Sequence, residues 1–495
     1  MTARRFAIVA GGTGVLVVAA FAAFQLFISP ERRPQLTLNP DLSGLEAQAA
    51  DRIQSLLRDV EGNPRAAEAW GRLGMSLDVH DFKPEAVRAY EQAALLDPEE
   101  FRWPYYGAIA LHDLGSSESI AWFERSLSLR PNYAPLLVLY GDALFDAGRL
   151  EEASRLLRRA LAADPQSSHA HLGLAQLALS RGDLQESRSH LERALEIHSG
   201  HGEAHGLLGE VYRRQGELRK AELELRKAHL LPSVTPLRDA VYLELTNEGV
   251  SSFWYRTRGM AYLERGQIEA AVREFGKALQ ARADAEAHDN LGMALQYTGR
   301  FDEAAEHHRA ALALRPTYRS ALTNLGTALF QLGELEEAIA TVEKARHADR
   351  TYADAYLYLG TFHASLGRWA EAIDVFREGL ANARYDYRIA NRLAWLLATT
   401  TRSELRDGAE AVRLAETSCE VTGYRDPEAL DALAAAYAET AQFDKAMVAA
   451  QRAHRLATSG RRTDLAERIR LRMETYESNR PYRERQPHRT RPSGS

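Results

Sequence analysis

The sequence predicts an all-α protein, a solenoid of about ten or eleven helix–turn–helix units preceded by one transmembrane helix. A glycine in an equivalent context recurs every 33 or 34 residues along most of the 495-residue chain. Ahead of those repeats, Phe6 to Ser29 runs for 24 residues without a charge. A third observation narrows the chemistry: Cys419 is the only cysteine. One thiol excludes a disulfide framework, a Cys-rich zinc site, an iron–sulfur cluster and CxxCH haem attachment within one chain.

Residues 1–5 read as a short cytoplasmic N-terminus and residues 6–29 as the anchor. At about 1.5 Å per residue the run reaches about 36 Å as a helix, enough for a hydrocarbon core of about 30 Å. A cleaved signal peptide is the rival reading, since Arg4 and Arg5 make a basic start and Ala20-Phe21-Ala22 is a small-x-small site. Two features favour an uncleaved anchor. The run is longer than a signal-peptide core, and cutting after Ala22 would leave AFQLFIS as an apolar new end. Arg4, Arg5 and the terminal amine outweigh Arg32 and Arg33 offset by Glu31. The expected orientation therefore puts the repeats on the extracytoplasmic side of a bacterial inner membrane. Residues 30–43 form a linker and 44–66 an N-terminal capping helix.

The repeats explain themselves once Gly74, Gly107, Gly141, Gly209, Gly259, Gly292, Gly326 and Gly360 are set at position 8 of each unit. Positions 4, 7, 8 and 11 then share one face and are mostly apolar or small, as in Trp70, Leu73, Gly74 and Leu77. A mid-helix glycine costs about 1 kcal/mol against alanine. Repeating that cost makes sense only where close helix approach recovers it, and alanines at positions 20 and 27 of the second helix permit such an approach. A second glycine at position 15, as in Gly148, Gly299 and Gly333, suits the left-handed residue that ends the first helix. Proline at position 32, as in Pro98 and Pro316, stops the second helix.

The run Trp70, Leu73, Gly74, Ala86, Tyr90, Ala93 and Pro98 resembles the tetratricopeptide repeat. The resemblance covers most of the chain between Ala67 and Gly460. It implies an all-helical solenoid whose partners are other proteins or extended peptides. Two blocks are expected, 67–232 and 252–460, separated by an insertion at 233–251 in which Pro236 starts a short extra helix. A smaller insertion, Thr399 to Asp407, falls inside the tenth unit. Residues 461–479 read as a C-terminal capping helix, and 480–495 as a disordered Arg/Pro tail.

No segment outside the repeats is large enough for an ordinary catalytic domain, and no GxxxxGK[ST] occurs, so the chain reads as a non-enzyme without a cofactor. Basic residues number 62 against 68 acidic, which argues against nucleic-acid binding. His198, His201 and His205 lie close in sequence, but His201–His205 spells H-x-E-x-H rather than H-E-x-x-H, and no metal site is expected. His171, His205 and His288 all hold position 4, where other units carry tryptophan. His307 and His308 face different sides of a helix, and Cys419 reads as a packing residue.

In the resembled family, positions 2, 5, 6, 9, 12 and 13 of the first helices line the concave groove. Units seven to ten place there Asp289, Asn290, Met293 and Tyr297, then Thr323, Asn324, Thr327 and Gln331, then Tyr358 and Thr361, then Arg392. Asn290 and Asn324 share position 6, and amides so placed hydrogen-bond a peptide backbone without reading side chains. Units three to five show Leu139, Gly173 and Leu207 at the same position, a face for something apolar or for packing within the chain. The expected function is a non-catalytic, membrane-anchored scaffold for assembling an envelope complex. The alternative is an accessory subunit of an envelope glycosyl-transfer or polysaccharide machine.

Overall fold

The computed structural model describes residues 38–231, 237–383 and 386–484. Among these residues there are 25 α-helices, one short 3₁₀ turn and no strand. The first is α1 (Ala47–Gly62), and units one to five supply α2 (Ala67–Val79), α3 (Lys83–Leu96), α4 (Arg102–Asp113), α5 (Ser119–Leu129), α6 (Ala134–Asp146), α7 (Leu150–Ala163), α8 (Ser168–Ser180), α9 (Leu184–Ile197), α10 (Gly202–Arg214) and α11 (Leu218–Leu230). The insertion holds α12 (Ala240–Asn247). Units six to eight follow as α13 (Ser252–Glu264), α14 (Ile268–Ala281), α15 (Ala285–Tyr297), α16 (Phe301–Leu314), α17 (Arg319–Leu332) and α18 (Leu335–Ala348). Units nine to eleven are α19 (Ala353–Ser365), α20 (Trp369–Asn382), α21 (Tyr387–Thr399), α22 (Gly408–Val421), α23 (Pro427–Glu439) and α24 (Phe443–Ser459), closed by α25 (Thr463–Glu477). The anchor expected at 6–29 lies outside the described residues. Among the described residues no helix is long and apolar enough to cross a membrane.

Within each block a unit is an antiparallel helix pair whose second helix packs on the first helix of the next. Position 15 takes the left-handed conformation, with φ of 72° at Gly148 and 86° at Gly333. Units one and eleven make the same turn without glycine, at Asp81 (φ 70°) and Ala441 (φ 59°). The glycine at position 8 has a more specific reason than small neighbours. A Cβ on Gly326 would lie 2.3 Å from Val342 Cγ2 and 3.1 Å from the carbonyl oxygen of Ala338, and one on Gly360 would lie 2.3 Å from Phe376 Cε1. Position 8 is therefore kept bare by the large residue at position 24, while the alanine at position 20 brings its backbone close.

Unit six does not stack on unit five. The chain returns through the insertion, and α13 begins beside unit one: Trp254 Nε1 donates to Val79 O at 2.6 Å, and Ser252 N to Glu46 Oε2 at 2.6 Å. At the far end α11 meets α22 of unit ten. The two blocks thus run side by side in the same sense, touching at unit one with unit six and at unit five with unit ten. Among the described residues the insertion holds a helix that starts at Ala240, capped by Asp239; Pro236, expected to start it, lies outside the described residues. The smaller insertion contains the 3₁₀ turn Ser403–Leu405.

Both ends are sealed. α1 buries Ile53 and Leu56, and α25 buries Ile469 and Tyr476. Order extends past residue 480, where the tail was expected to begin. Glu484 N donates to Thr399 O at 2.8 Å, Trp395 Nε1 donates to Glu484 Oε2 at 2.8 Å, and the Tyr482 ring lies 5.9 Å from that of Trp395. An aromatic pair with a backbone bond holds this segment; the rest of the tail lies outside the described residues.

Candidate peptide-binding grooves

Over units one to three the concave face is covered by the chain itself. Asp239 accepts hydrogen bonds from the hydroxyls of Tyr105, the position-6 residue of unit two, and of Tyr133. It also caps α12 by accepting from the amides of Val241 and Tyr242 at 2.9 and 3.0 Å. Burial, with the nearby Asp239 charge, pushes both phenols well up, so both hydroxyls keep their protons and donate. Tyr106 donates to Val241 O at 2.7 Å. Arg102 reaches Glu244 at 2.8 Å, Arg52 reaches Glu248 at 2.5 Å, and Arg72 lies 3.6 Å from Glu248. Leu245 is buried in the same core that Leu139 borders, so the apolar position 6 of unit three packs within the chain.

Block two leaves its face open, but not all of the expected residues line it. Asp289 is 2% exposed and accepts from His308 Nδ1 at 2.8 Å, Ser320 Oγ at 2.6 Å and Asn324 Nδ2 at 3.0 Å. It is an internal node joining α15, α16 and α17, because a carboxylate at position 5 buried between units needs several donors. Thr323 is also buried and spends its hydroxyl on Ser320 O at 2.9 Å. Neither is a groove residue. Asn324 is half-buried with its amide nitrogen on Asp289, so only one rung of the asparagine pair is free: Asn290 has no side-chain partner among the described residues.

The remaining candidates stay on the open side. Tyr297 is 66% exposed, Gln331 and Arg392 are exposed, and Met293 and Tyr358 are half-buried. Thr327 and Thr361 turn their hydroxyls onto the carbonyls of Thr323 and Leu357 at 3.0 and 2.7 Å, presenting their methyls. Arg392 lies 3.6 Å from Glu428. Four further residues belong to this face by position: Phe253 (58% exposed), Met260 (41%), Phe330 and Gln296. Gln296 binds His308 Nε2 at 2.9 Å and Asn324 O at 2.8 Å. Phe330 stacks on Phe362 with centroids 4.4 Å apart. Counting from each position-8 glycine, back to position 2 for Phe253 and forward to positions 9 and 12 for the others, finds all four.

A cavity of about 550 Å³ lies where unit five meets unit ten, lined by His205, Tyr212, Glu224 and Lys227 on one side and Tyr387, Thr422 and Arg425 on the other. Its one buried polar pair is satisfied: His205 Nδ1 meets Glu224 at 2.5 Å and Nε2 meets Ser199 O at 3.0 Å. Position 4 pairs with position 23 elsewhere too, His171 with His190 and His288 with His307, each at 3.0 Å. Burial lowers all four imidazoles, so they stand as neutral hydrogen-bonded pairs at neutral pH. Among the described residues no three His, Cys, Asp or Glu side chains are placed to hold a metal ion. Burial pushes the Cys419 thiol up to about 12, which fits packing rather than reactivity.

A tetratricopeptide-repeat model matches residues 140–202, 256–318, 290–353 and 323–387, and a second one 178–229. The chain carries tetratricopeptide repeats over residues 140–229 and 256–387. The matching models describe repeats, and no catalytic family is indicated. Among curated relatives, ALBINO3-like protein 3, mitochondrial, of Arabidopsis thaliana is 34% identical over 141 residues, 24% of this chain and 25% of the relative. The TPR repeat-containing thioredoxin TTL4 of the same plant is 36% identical over 75 residues, 15% of this chain and 11% of the relative. The chain therefore spans a quarter or less of the curated relatives it matches. Among solved structures, MamA is 26% identical with a TM-score of 0.28, covering 34% of this chain and 95% of that one. Yeast Tom70 is 13% identical with a TM-score of 0.40, covering 83% and 96%.

Proposed function

We propose that this tetratricopeptide-repeat protein is a membrane-anchored scaffold that holds an extended peptide along the open groove of units six to ten, in the assembly of an envelope complex. One observation carries the reading: Phe253, Met260 and Tyr297 stand 58%, 41% and 66% exposed at concave positions of consecutive units, while the corresponding face of units one to three is covered. Large apolar side chains left in water along one groove mark a contact surface. The free amide of Asn290 beside them suits a peptide backbone. The charge-free run of residues 6–29 supports the anchor, and its flanking arginines support repeats on the extracytoplasmic side of an inner membrane.

The test is a crosslinking pull-down from detergent-solubilised membranes with the native chain beside an Asn290→Ala, Tyr297→Ala variant. Asn324 is left intact because its amide holds Asp289. A partner captured by the native chain and lost by the variant, with unchanged helicity, supports the groove. Equal capture by both refutes it.

A further inference from the structure

We infer that the groove of units one to three is a receptor for a short acidic amphipathic helix, and that α12 is its occupant within the chain. The contacts read features of α12 that another helix could carry. Tyr105 and Tyr133 clamp the capping carboxylate of Asp239 with donated hydroxyls. Arg102 and Arg52 meet Glu244 and Glu248, one turn apart on the same face. Leu245 alone is buried, 2% exposed between those two carboxylates. The recognised pattern is thus an Asp cap, then Glu five residues on, Leu six on and Glu nine on.

The same contacts make the occupant exchangeable. An eight-residue helix is far below the length that persists alone in water, so α12 takes its order from the groove. Tyr242 and Leu243 remain 36% and 48% exposed, and the attachment is mainly polar. Segments with little buried apolar surface open locally at low free energy. Opening α12 uncovers a wall of guanidinium and tyrosine groups matched to carboxylates. A protein partner bearing the same acidic helix is therefore the fitting ligand. Tethering holds α12 at an effective concentration on the order of 1 mM, which sets the competition a free helix must meet.

The test uses the full chain and a fluorescent synthetic peptide of residues 237–250, LRDAVYLELTNEGV. In a variant with Asp239→Asn, Glu244→Gln and Glu248→Gln, α12 loses its charges while the groove is unchanged. The peptide is expected to bind that variant about tenfold or more tightly than the native chain. Adding Arg102→Gln and Tyr133→Phe should abolish binding, and so should the same three amide changes in the peptide. Equal binding to native chain and variant, no binding to either, or binding that survives the groove changes or the amide peptide overturns the inference. Should the variant lose helicity, hydrogen exchange on the native chain decides. Amides of residues 240–248 should exchange about tenfold or more faster than those of α4, and equal protection overturns the inference.

Discussion

Replacing Gly326 by alanine tests why the repeat keeps a glycine inside its first helix. Alone in a helix the change stabilises by about 1 kcal/mol. Here the new Cβ would lie 2.3 Å from Val342 Cγ2 and 3.1 Å from the carbonyl of Ala338. Val342 is fully buried and β-branched, so it has essentially one rotamer in a helix, and the carbonyl belongs to the backbone of α18. Neither can yield, which puts the overpacking cost near the top of its range, about 3 kcal/mol. The net expectation is a loss of about 2 kcal/mol. Gly206, in the middle of α10, provides the control: its nearest foreign atom is Ala228 Cβ at 3.8 Å, an ordinary contact, so Gly206→Ala should gain about 1 kcal/mol. Hydrogen exchange followed by mass spectrometry suits a solenoid, whose units need not unfold together. Peptides from α17 and α18 should exchange about 30-fold faster in Gly326→Ala, and those from α10 about fivefold slower in Gly206→Ala. Adding Val342→Ala to the first variant should restore part of the loss, the sign of a direct clash. Exchange in Gly326→Ala as slow as in the native chain would refute the steric argument.

Three other changes follow from single residues. Ala441 carries the left-handed turn of unit eleven at φ 59°, so Ala441→Gly should raise stability by about 0.5–1 kcal/mol, read as a urea midpoint shift without a change in slope. Asp142 has no partner for its carboxylate among the described residues, and burial, with Asp146 and Glu203 adding, pushes it up to about 7. An acid raised on folding stabilises the native state below its unfolded value of about 4 and loses that contribution as pH climbs through about 7. Asp142→Asn should therefore raise the melting temperature at pH about 8 and leave it nearly unchanged near pH 4; a gain confined to low pH would contradict this. Arg472, 6% exposed, holds Asp431, 5% exposed, by two bonds of 3.0 and 2.5 Å. Arg472→Met strands that carboxylate and should cost about 3–5 kcal/mol in urea unfolding, with Asp431→Leu in the same chain recovering much of it.

Much of the architecture was readable because it is local. The spacing from Gly292 to Gly326 to Gly360 is set by helix pairs that touch only their neighbours, so one chain carries the same instruction many times. The position-15 turn was equally plain, since Gly148 and Gly333 take a conformation other residues avoid. Position 24 enters the repeat signature only as Tyr90, and its role against the glycine is hidden because other units place Leu157, Phe275, His308 and Val342 there. Their common property is bulk against a bare glycine, which no residue identity advertises. The open groove was half readable for a related reason. A polar side chain on a helix face reads alike whether it meets water or a buried partner, and Asp289 meets His308, Ser320 and Asn324 from two other helices.

The insertion shows what periodicity cannot carry. Asp239 bonds Tyr133 across 106 residues, Arg102 meets Glu244 across 142, and Ser252 meets Glu46 across 206. Nothing in the spacing of those residues announces the pairs, because their separation follows from how far the first arc turns before the chain comes back. Their effect is large all the same. A solenoid with neighbour contacts only is close to one-dimensional, and a perturbation in one unit fades along the stack. Here unit one touches unit six and unit five touches unit ten, so a change at either junction bears on both blocks at once. The occupant of the first groove is also the strand of chain that joins the blocks. Releasing α12 from Tyr105 and Tyr133 frees that surface, while Trp254 on Val79 and Ser252 on Glu46 hold unit six beside unit one.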